Sequence, residues 1–231
     1  MKHYTVMDIG GTFIKYGVMN EDFQEVFLEE TPTEKLPEPF LAQIIGVTEK
    51  CSEYAANNGL TICGIAISMA GFINPVTGEN TDFTVSERFR KYNLKKVLNE
   101  KTSLPVSVEN DSNCAALAEI AIGAGVGCED VCMMTIGTGI GGAIIHGGKL
   151  LRGRNFKAGE FGLTYIGREI VNGKAVYRAP TATSVFVRNA SRVLGFEVNG
   201  KTVFGYMDNP EVKALYDTWV DDIAMTVGGI S

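Results

Sequence analysis

The sequence predicts an α/β protein of two units, and three observations carry that reading. Two glycine turns of nearly the same grammar stand far apart, Asp8-Ile9-Gly10-Gly11-Thr12 and Gly137-Thr138-Gly139-Ile140-Gly141-Gly142. Each lies between apolar runs that leave little room for a helix, which is how a β-hairpin is written. Strand-like runs then alternate with helix-spaced segments, the order of an α/β fold. The 231 residues are 45% apolar and 9% aromatic, enough to build a substantial core.

Residues 2–30 read as strands: the first hairpin (Tyr4-Thr5-Val6-Met7, then Ile14 to Met19), followed by Val26-Phe27-Leu28. Thr31 to Pro39 holds three prolines and reads as a loop. From Phe40 to Asn58, the positions Leu41, Ile44, Ile45, Val47 and Tyr54 keep helical spacing, and Asn57-Asn58-Gly59 supplies a stop. Thr61 to Ser68 is a fully apolar strand suited to a sheet centre. Ala70 to Phe83 is a Gly/Pro/Asn-rich loop, Leu94 to Glu100 a short helix, and Val106-Ser107-Val108 a buried strand. Asn110-Asp111 opens a helix over 112–122. The second hairpin starts at Val131, and Thr183 to Leu194 and Glu211 to Val227 are the later helices. The boundary falls within 109–130, giving units of 1–115 and 116–231 with a crevice between them.

A formal charge of -6 argues against nucleic acid as a partner, because a phosphate backbone wants a basic face. No apolar stretch approaches the roughly 18–20 residues of a membrane span, so no membrane partner is expected. The five cysteines form no paired framework and read as reduced thiols of the cytoplasm. Cys128 and Cys132 have only His3 and His146 as histidine company, so buried small hydrophobes are preferred to a zinc site.

Two motif matches are set aside. Residues 137–142 satisfy G-x-G-x-x-G, but that fingerprint needs its last glycine to open a helix, and Ala143-Ile144-Ile145 is stopped by His146-Gly147-Gly148. Residues 195–202 satisfy G-x-x-x-x-G-K-[ST], but they follow a helical segment, and Asn199-Gly200 reads as a hairpin turn.

A glycine turn has no Cβ to block approach, so its N–H groups can close on phosphate oxygens. Two such turns, each with a Thr hydroxyl at its tip, suggest a polyphosphate gripped from both sides. Together with Ser68-Met69-Ala70-Gly71, Glu109-Asn110-Asp111 and Ala158-Gly159-Glu160-Phe161-Gly162, they closely resemble the ROK family of sugar kinases and repressors, over essentially the whole chain. The resemblance implies the actin-like ATPase (ribonuclease H-like) fold and an ATP-dependent kinase acting on a sugar hydroxyl at C6. Glucose, N-acetylmannosamine, fructose and β-glucosides all stay open as substrates.

It implies roles residue by residue. Asp111 resembles the catalytic base that receives the hydroxyl proton, though its place at a helix start fits an N-cap equally well. Asn110 and Glu160 resemble the sugar ligands, and Gly71 the point where backbone nears the sugar. Asp8 would hold Mg2+ through water. Gly10, Gly11, Thr12, Gly137, Thr138, Gly139 and Gly141 would bind the phosphates of ATP. Lys15 adds charge there or is an exposed strand lysine. A homodimer is left open.

The sequence departs from the family in two places. The family's zinc-binding Glu-x-Gly-His has Leu163 in its fourth position, and the cysteine cluster that should follow is replaced by Glu169 to Pro180. This predicts a zinc-less branch with no zinc site. The adenosine-enclosing turn is also expected beyond Ser231, so a truncated chain is expected. A repressor would carry a helix-turn-helix before the first hairpin, where Asp8 leaves no space. An inactive sugar or nucleotide sensor is the competing reading.

Overall fold

The computed structural model describes residues 1–172 and 174–230, leaving Gly173 and Ser231 outside the described residues. The chain divides into two units, one of Met1–Ala115 and one from Ala116 onward.

In the first unit, β1 (His3–Ile9), β2 (Phe13–Asn20), β3 (Glu25–Pro32), β4 (Ile62–Met69) and β5 (Val106–Asn110) form one sheet in the order β3-β2-β1-β4-β5. β1, β2 and β3 are joined by antiparallel hairpins, whereas β4 and β5 run parallel to β1. The alternation of the strands decides the faces. In β1, His3, Thr5, Met7 and Ile9 are buried while Asp8 is exposed. The buried face packs against α1 (Pro37–Asn57) and α2 (Leu94–Thr102) in one cluster that includes Ile9, Ile14, Phe40, Ile44, Leu98 and Val108. Burying each such side chain contributes about 1.5–3 kcal/mol.

The three prolines misled the reading of 31–39 as a loop. Pro32 ends β3, the edge strand of the sheet, and Pro37 stands in the first turn of α1, where a missing N–H costs nothing. The true connection is Thr33 to Leu36.

The helix α3 (Asp111–Ile122) follows β5 directly. In the second unit, β6 (Val131–Ile136), β7 (Ile140–His146) and β8 (Lys149–Leu151) form an antiparallel sheet. Ala143 and Ile145 from β7 bury against Ala116 of α3. The second glycine turn is therefore a hairpin, as its short apolar flanks predict. A two-stranded ribbon, β9 (Gly167–Val171) and β10 (Lys174–Arg178), occupies most of the segment that departs from the zinc motif.

Helices α4 (Thr183–Leu194) and α5 (Pro210–Gly228) pack through Phe186, Ala190, Val203 and Val212. Gly195 ends α4 in the left-handed region, and the Asn209 side chain caps α5 by accepting from the N–H groups of Glu211 and Val212 at 3.0 and 3.2 Å. Asp222 of α5 is fully buried and is held by an ion pair from Arg178 and a 3.1 Å bond from the Thr181 N–H.

The expected hairpin at Asn199-Gly200 does not form. Asn199 turns its own Oδ1 onto the N–H groups of Lys201 and Thr202 (2.9 and 3.0 Å), and the chain continues into a 3-10 turn over Thr202–Tyr206. That local side-chain bond outcompetes a strand ladder. Among the described residues, no helix is long and apolar enough to cross a membrane.

Candidate active site

In the first unit the candidate residues gather at the ends of β1, β4 and β5. The turn between β1 and β2 is closed by a bond from Gly10 N–H to the Phe13 carbonyl at 3.0 Å. Thr33 braces it from behind, its hydroxyl donating to Gly10 O at 2.9 Å and its N–H to Thr12 O at 2.8 Å. A Cβ at Gly11 would meet no atom within 4 Å. Both Gly11 and Thr12 are exposed, so this tip is open to a ligand.

Strand register sets Glu30, Lys15, Asp8, Ser68 and Glu109 side by side in one row across the sheet. Lys15 and Asp8 are both exposed, so each stays available to charge brought in from solvent. Ser68 Oγ donates to Asp8 Oδ1 at 2.9 Å and fixes one carboxylate oxygen.

Gly71, just past β4, has φ of 116°, a conformation that L side chains rarely adopt, and a Cβ there would come within 2.4 Å of the Asn80 amide. Its carbonyl accepts from Asn110 Nδ2 at 3.1 Å. Asn80 Nδ2 donates to Ala70 O at 3.0 Å and to Phe89 O at 3.2 Å, pinning the loop beyond.

The choice between cap and base at Asp111 turns on its neighbour. Asn110 Oδ1 accepts from Asn113 N–H at 3.0 Å, so Asn110 takes the capping bond of α3. Asp111 is exposed, and its Oδ1 accepts a local bond from Ser112 N–H at 2.8 Å that does not engage its second oxygen. Glu109 is buried beneath, its Oε1 accepting from Asn110 N–H at 2.9 Å and Asn113 Nδ2 at 3.0 Å.

Cys114 lies one turn further along α3. Burial pushes its thiol up to about 12, the charge of Glu109 adds to this, and a hydrogen bond with the Ser68 side chain works the other way. Asp111 and Asp8 raise it as well. Charges from motifs about a hundred residues apart in sequence thus both act on this thiol.

In the second unit Gly137, Thr138 and Gly139 form an exposed hairpin tip, and Cβ atoms at the two glycines would meet nothing within 4 Å. Gly141 stands opposite Thr135 in the ladder. Ser184, in the first turn of α4, anchors the tip: its N–H donates to Gly137 O at 3.3 Å and its hydroxyl to Thr138 O at 2.6 Å. Glu160 is half-buried at the start of a 3-10 turn over Phe161–Leu163. Leu163 is 58% exposed. No group of three or more His, Cys, Asp or Glu among the described residues could hold a metal ion.

Sequence reasoning missed Asn80, Asn113 and Ser184 as parts of these sites, and gave Ser68 a place in a motif but no partner. Only strand register and helix placement bring them in. The Glu-Asn-Asp-Ser-Asn run did contain one usable signal, since an Asn three residues before another Asn fits a cap followed by its N3 position.

Comparison with known proteins bears on the family and the fold. The family model described as ROK family matches residues 4–177. A beta-glucoside kinase of Listeria monocytogenes is 36% identical over 211 residues, covering 87% of this chain and 68% of that protein. The solved structure of the Lmo2764 protein from Listeria monocytogenes is 33% identical, with a TM-score of 0.80 over 97% of this chain and 77% of its own. That of a ROK family glucokinase from Streptomyces griseus, in complex with glucose and AMPPNP, is 26% identical, with a TM-score of 0.77 over 99% of this chain and 78% of its own. These likenesses give the chain the actin-like ATPase fold that the paired glycine turns lead one to expect.

Proposed function

The chain belongs to the ROK family, and from that premise we propose that it is an ATP-dependent sugar kinase whose general base is Asp111. The observation that carries this reading is the division of labour at the head of α3. Asn110 caps the helix, so the neighbouring carboxylate is exposed and free of the capping role, beside the row that holds Asp8. Phosphoryl transfer to an alcohol needs such a carboxylate to receive the proton as the hydroxyl attacks.

Asn110 and Gly71, bonded to each other, form the sugar side of the first unit. Glu160 would add a carboxylate from the second unit to the sugar hydroxyls. The exposed tips at Gly10-Gly11-Thr12 and Gly137-Thr138-Gly139 would offer N–H groups and hydroxyls to the phosphates. Lys15 and Gly141 border those tips. Asp8 fits a magnesium ion held through water: it is an exposed hard-oxygen donor with one oxygen already fixed by Ser68. Mg2+ would neutralise phosphate charge.

The substrate is a hexose, hexosamine or β-glucoside, phosphorylated at C6. Likeness to a beta-glucoside kinase puts β-glucosides at the head of the panel, with glucose next. A coupled ADP-release assay with MgATP across β-glucosides, glucose, fructose and N-acetylmannosamine tests the reading. Sugar-stimulated ADP release is the expected result, and nucleotide or sugar binding with no turnover on any of them would make the protein a sensor instead.

A further inference from the structure

Arg88 is carried by a 3-10 turn over Glu87–Phe89, beyond the loop that starts at Gly71. Phe89 is buried and stands edge-on to Phe40, so the turn is seated in the core. Asn80 ties the Phe89 carbonyl to the Ala70 carbonyl next to Gly71. From this seat the Arg88 guanidinium lies over the Phe89 ring, 4.7 Å from its centroid, and Nη2 donates to the Gly11 carbonyl at 2.8 Å. An arginine from the sugar-side loop therefore reaches the tip of the first glycine turn.

Among the described residues no carboxylate pairs with Arg88, and its buried Nε has no hydrogen-bond partner. A guanidinium has five N–H donors in a planar fork that matches phosphate oxygens, and one bond to a carbonyl leaves its Nη1 side uncommitted. We propose that Arg88 binds phosphate at the first hairpin, contacting the terminal phosphoryl group that passes from the nucleotide to the sugar. Cationic side chains placed there stabilise the charge spread over the equatorial oxygens in flight. Bonded to Gly11 and carried next to Phe89, which Asn80 ties to Ala70, Arg88 joins the two substrate loops. This rests on the sugar-kinase reading above.

The test compares Arg88→Gln and Arg88→Lys with the wild type in the full chain. Affinities for MgAMPPNP and MgADP come from calorimetry, and each variant's melting temperature is recorded. A charge-assisted bond to the terminal group is expected to make Arg88→Gln lose on the order of tenfold or more in MgAMPPNP affinity, with a smaller loss for MgADP. Arg88→Lys should recover part of it, and melting temperatures should stay close to wild type. Equal MgAMPPNP affinity in wild type and Arg88→Gln would overturn the proposal. So would a parallel loss for both nucleotides with a melting temperature lowered alike in both variants, which would make Arg88 a fastening of the loop. Failure of the wild type to bind either nucleotide would strike the kinase reading itself, a distinct result.

Discussion

Ser68 and Asp8 stand directly opposite each other on parallel strands, and the serine hydroxyl donates to the aspartate carboxylate at 2.9 Å. One strand thereby aims a charged group carried by the next. Side chains at the ends of strands have rotamer freedom, and an exposed aspartate in the proposed role of holding a hydrated ion would gain from being fixed before the ion arrives.

Ser68→Ala is expected to weaken the use of MgATP while leaving the fold intact. Losing one hydrogen bond of about 1 kcal/mol corresponds to roughly a fivefold rise in KM for MgATP. Ser68→Thr, which keeps the hydroxyl, should restore most of it. An unchanged KM, measured alongside an unchanged melting temperature, would show that Asp8 needs no such support.

Asp111→Asn should leave sugar affinity near wild type and lower kcat by about 10²–10⁴-fold. Asn retains the shape and can still accept the Ser112 N–H, so helix α3 should persist. Equilibrium sugar binding and steady-state rates on the same preparation decide the matter. Near-normal kcat would remove Asp111 from the role of base.

Two partly or fully buried thiols make a prediction about alkaline pH. Burial pushes both Cys51 and Cys114 from the ordinary 9.0 up to about 12. Each folded thiol thus holds its proton more tightly than the unfolded one. Their contribution to stability is complete below about pH 9 and is lost as pH rises toward 12. Melting temperatures measured from pH 8 to 11 should decline less steeply in a Cys51→Ala, Cys114→Ala variant. At pH 8, iodoacetamide should label the exposed Cys128 well before the half-buried Cys114 or the buried Cys51.

Phe186 stacks on Trp219, with ring centroids 5.4 Å apart and planes 14° from parallel. Phe186→Ala should destabilise the α4–α5 pair by about 3–5 kcal/mol. Trp219 is the sole tryptophan, so its emission should shift to the red as the helices loosen. An unshifted spectrum with unchanged urea resistance would mean that this cluster contributes little.

The parts of the fold legible in sequence were those fixed by local chemistry. The glycine turns, the helix spacing from Phe40 onward and the apolar run at Thr61 to Ser68 each carry their own signal. The three prolines after Thr31 mark a shorter loop than they suggest, because Pro32 still belongs to β3 and Pro37 sits where a helix has an N–H to spare. Asn199-Gly200 looked like a hairpin, but a hairpin also needs two strands to join, and the Asn199 side chain had a closer use. The candidate site was legible to the same degree. Asp8, Asn110 and Asp111 lie inside short motifs, whereas Arg88 meets Gly11 from 77 residues away and Ser184 meets Thr138 from 46. Nothing local to either residue announces that meeting.

The glycines fall into two kinds whose difference is genetic. At Gly11, Gly137 and Gly139 a Cβ would meet open space, and none of the three needs a positive φ. At Gly17, Gly142 and Gly162 it would lie within 1.9, 2.4 and 2.2 Å of Phe27, Phe161 and Ile140 respectively. Alanine at the second set should cost the cell its protein. Alanine at the first should leave abundance untouched and remove only what the tips are for. Saturation mutagenesis scored twice, once for cellular level and once for growth on the sugar, would therefore split a single amino-acid type into two populations, and divergent scores at the tips would support the proposed phosphate grip without a bound nucleotide.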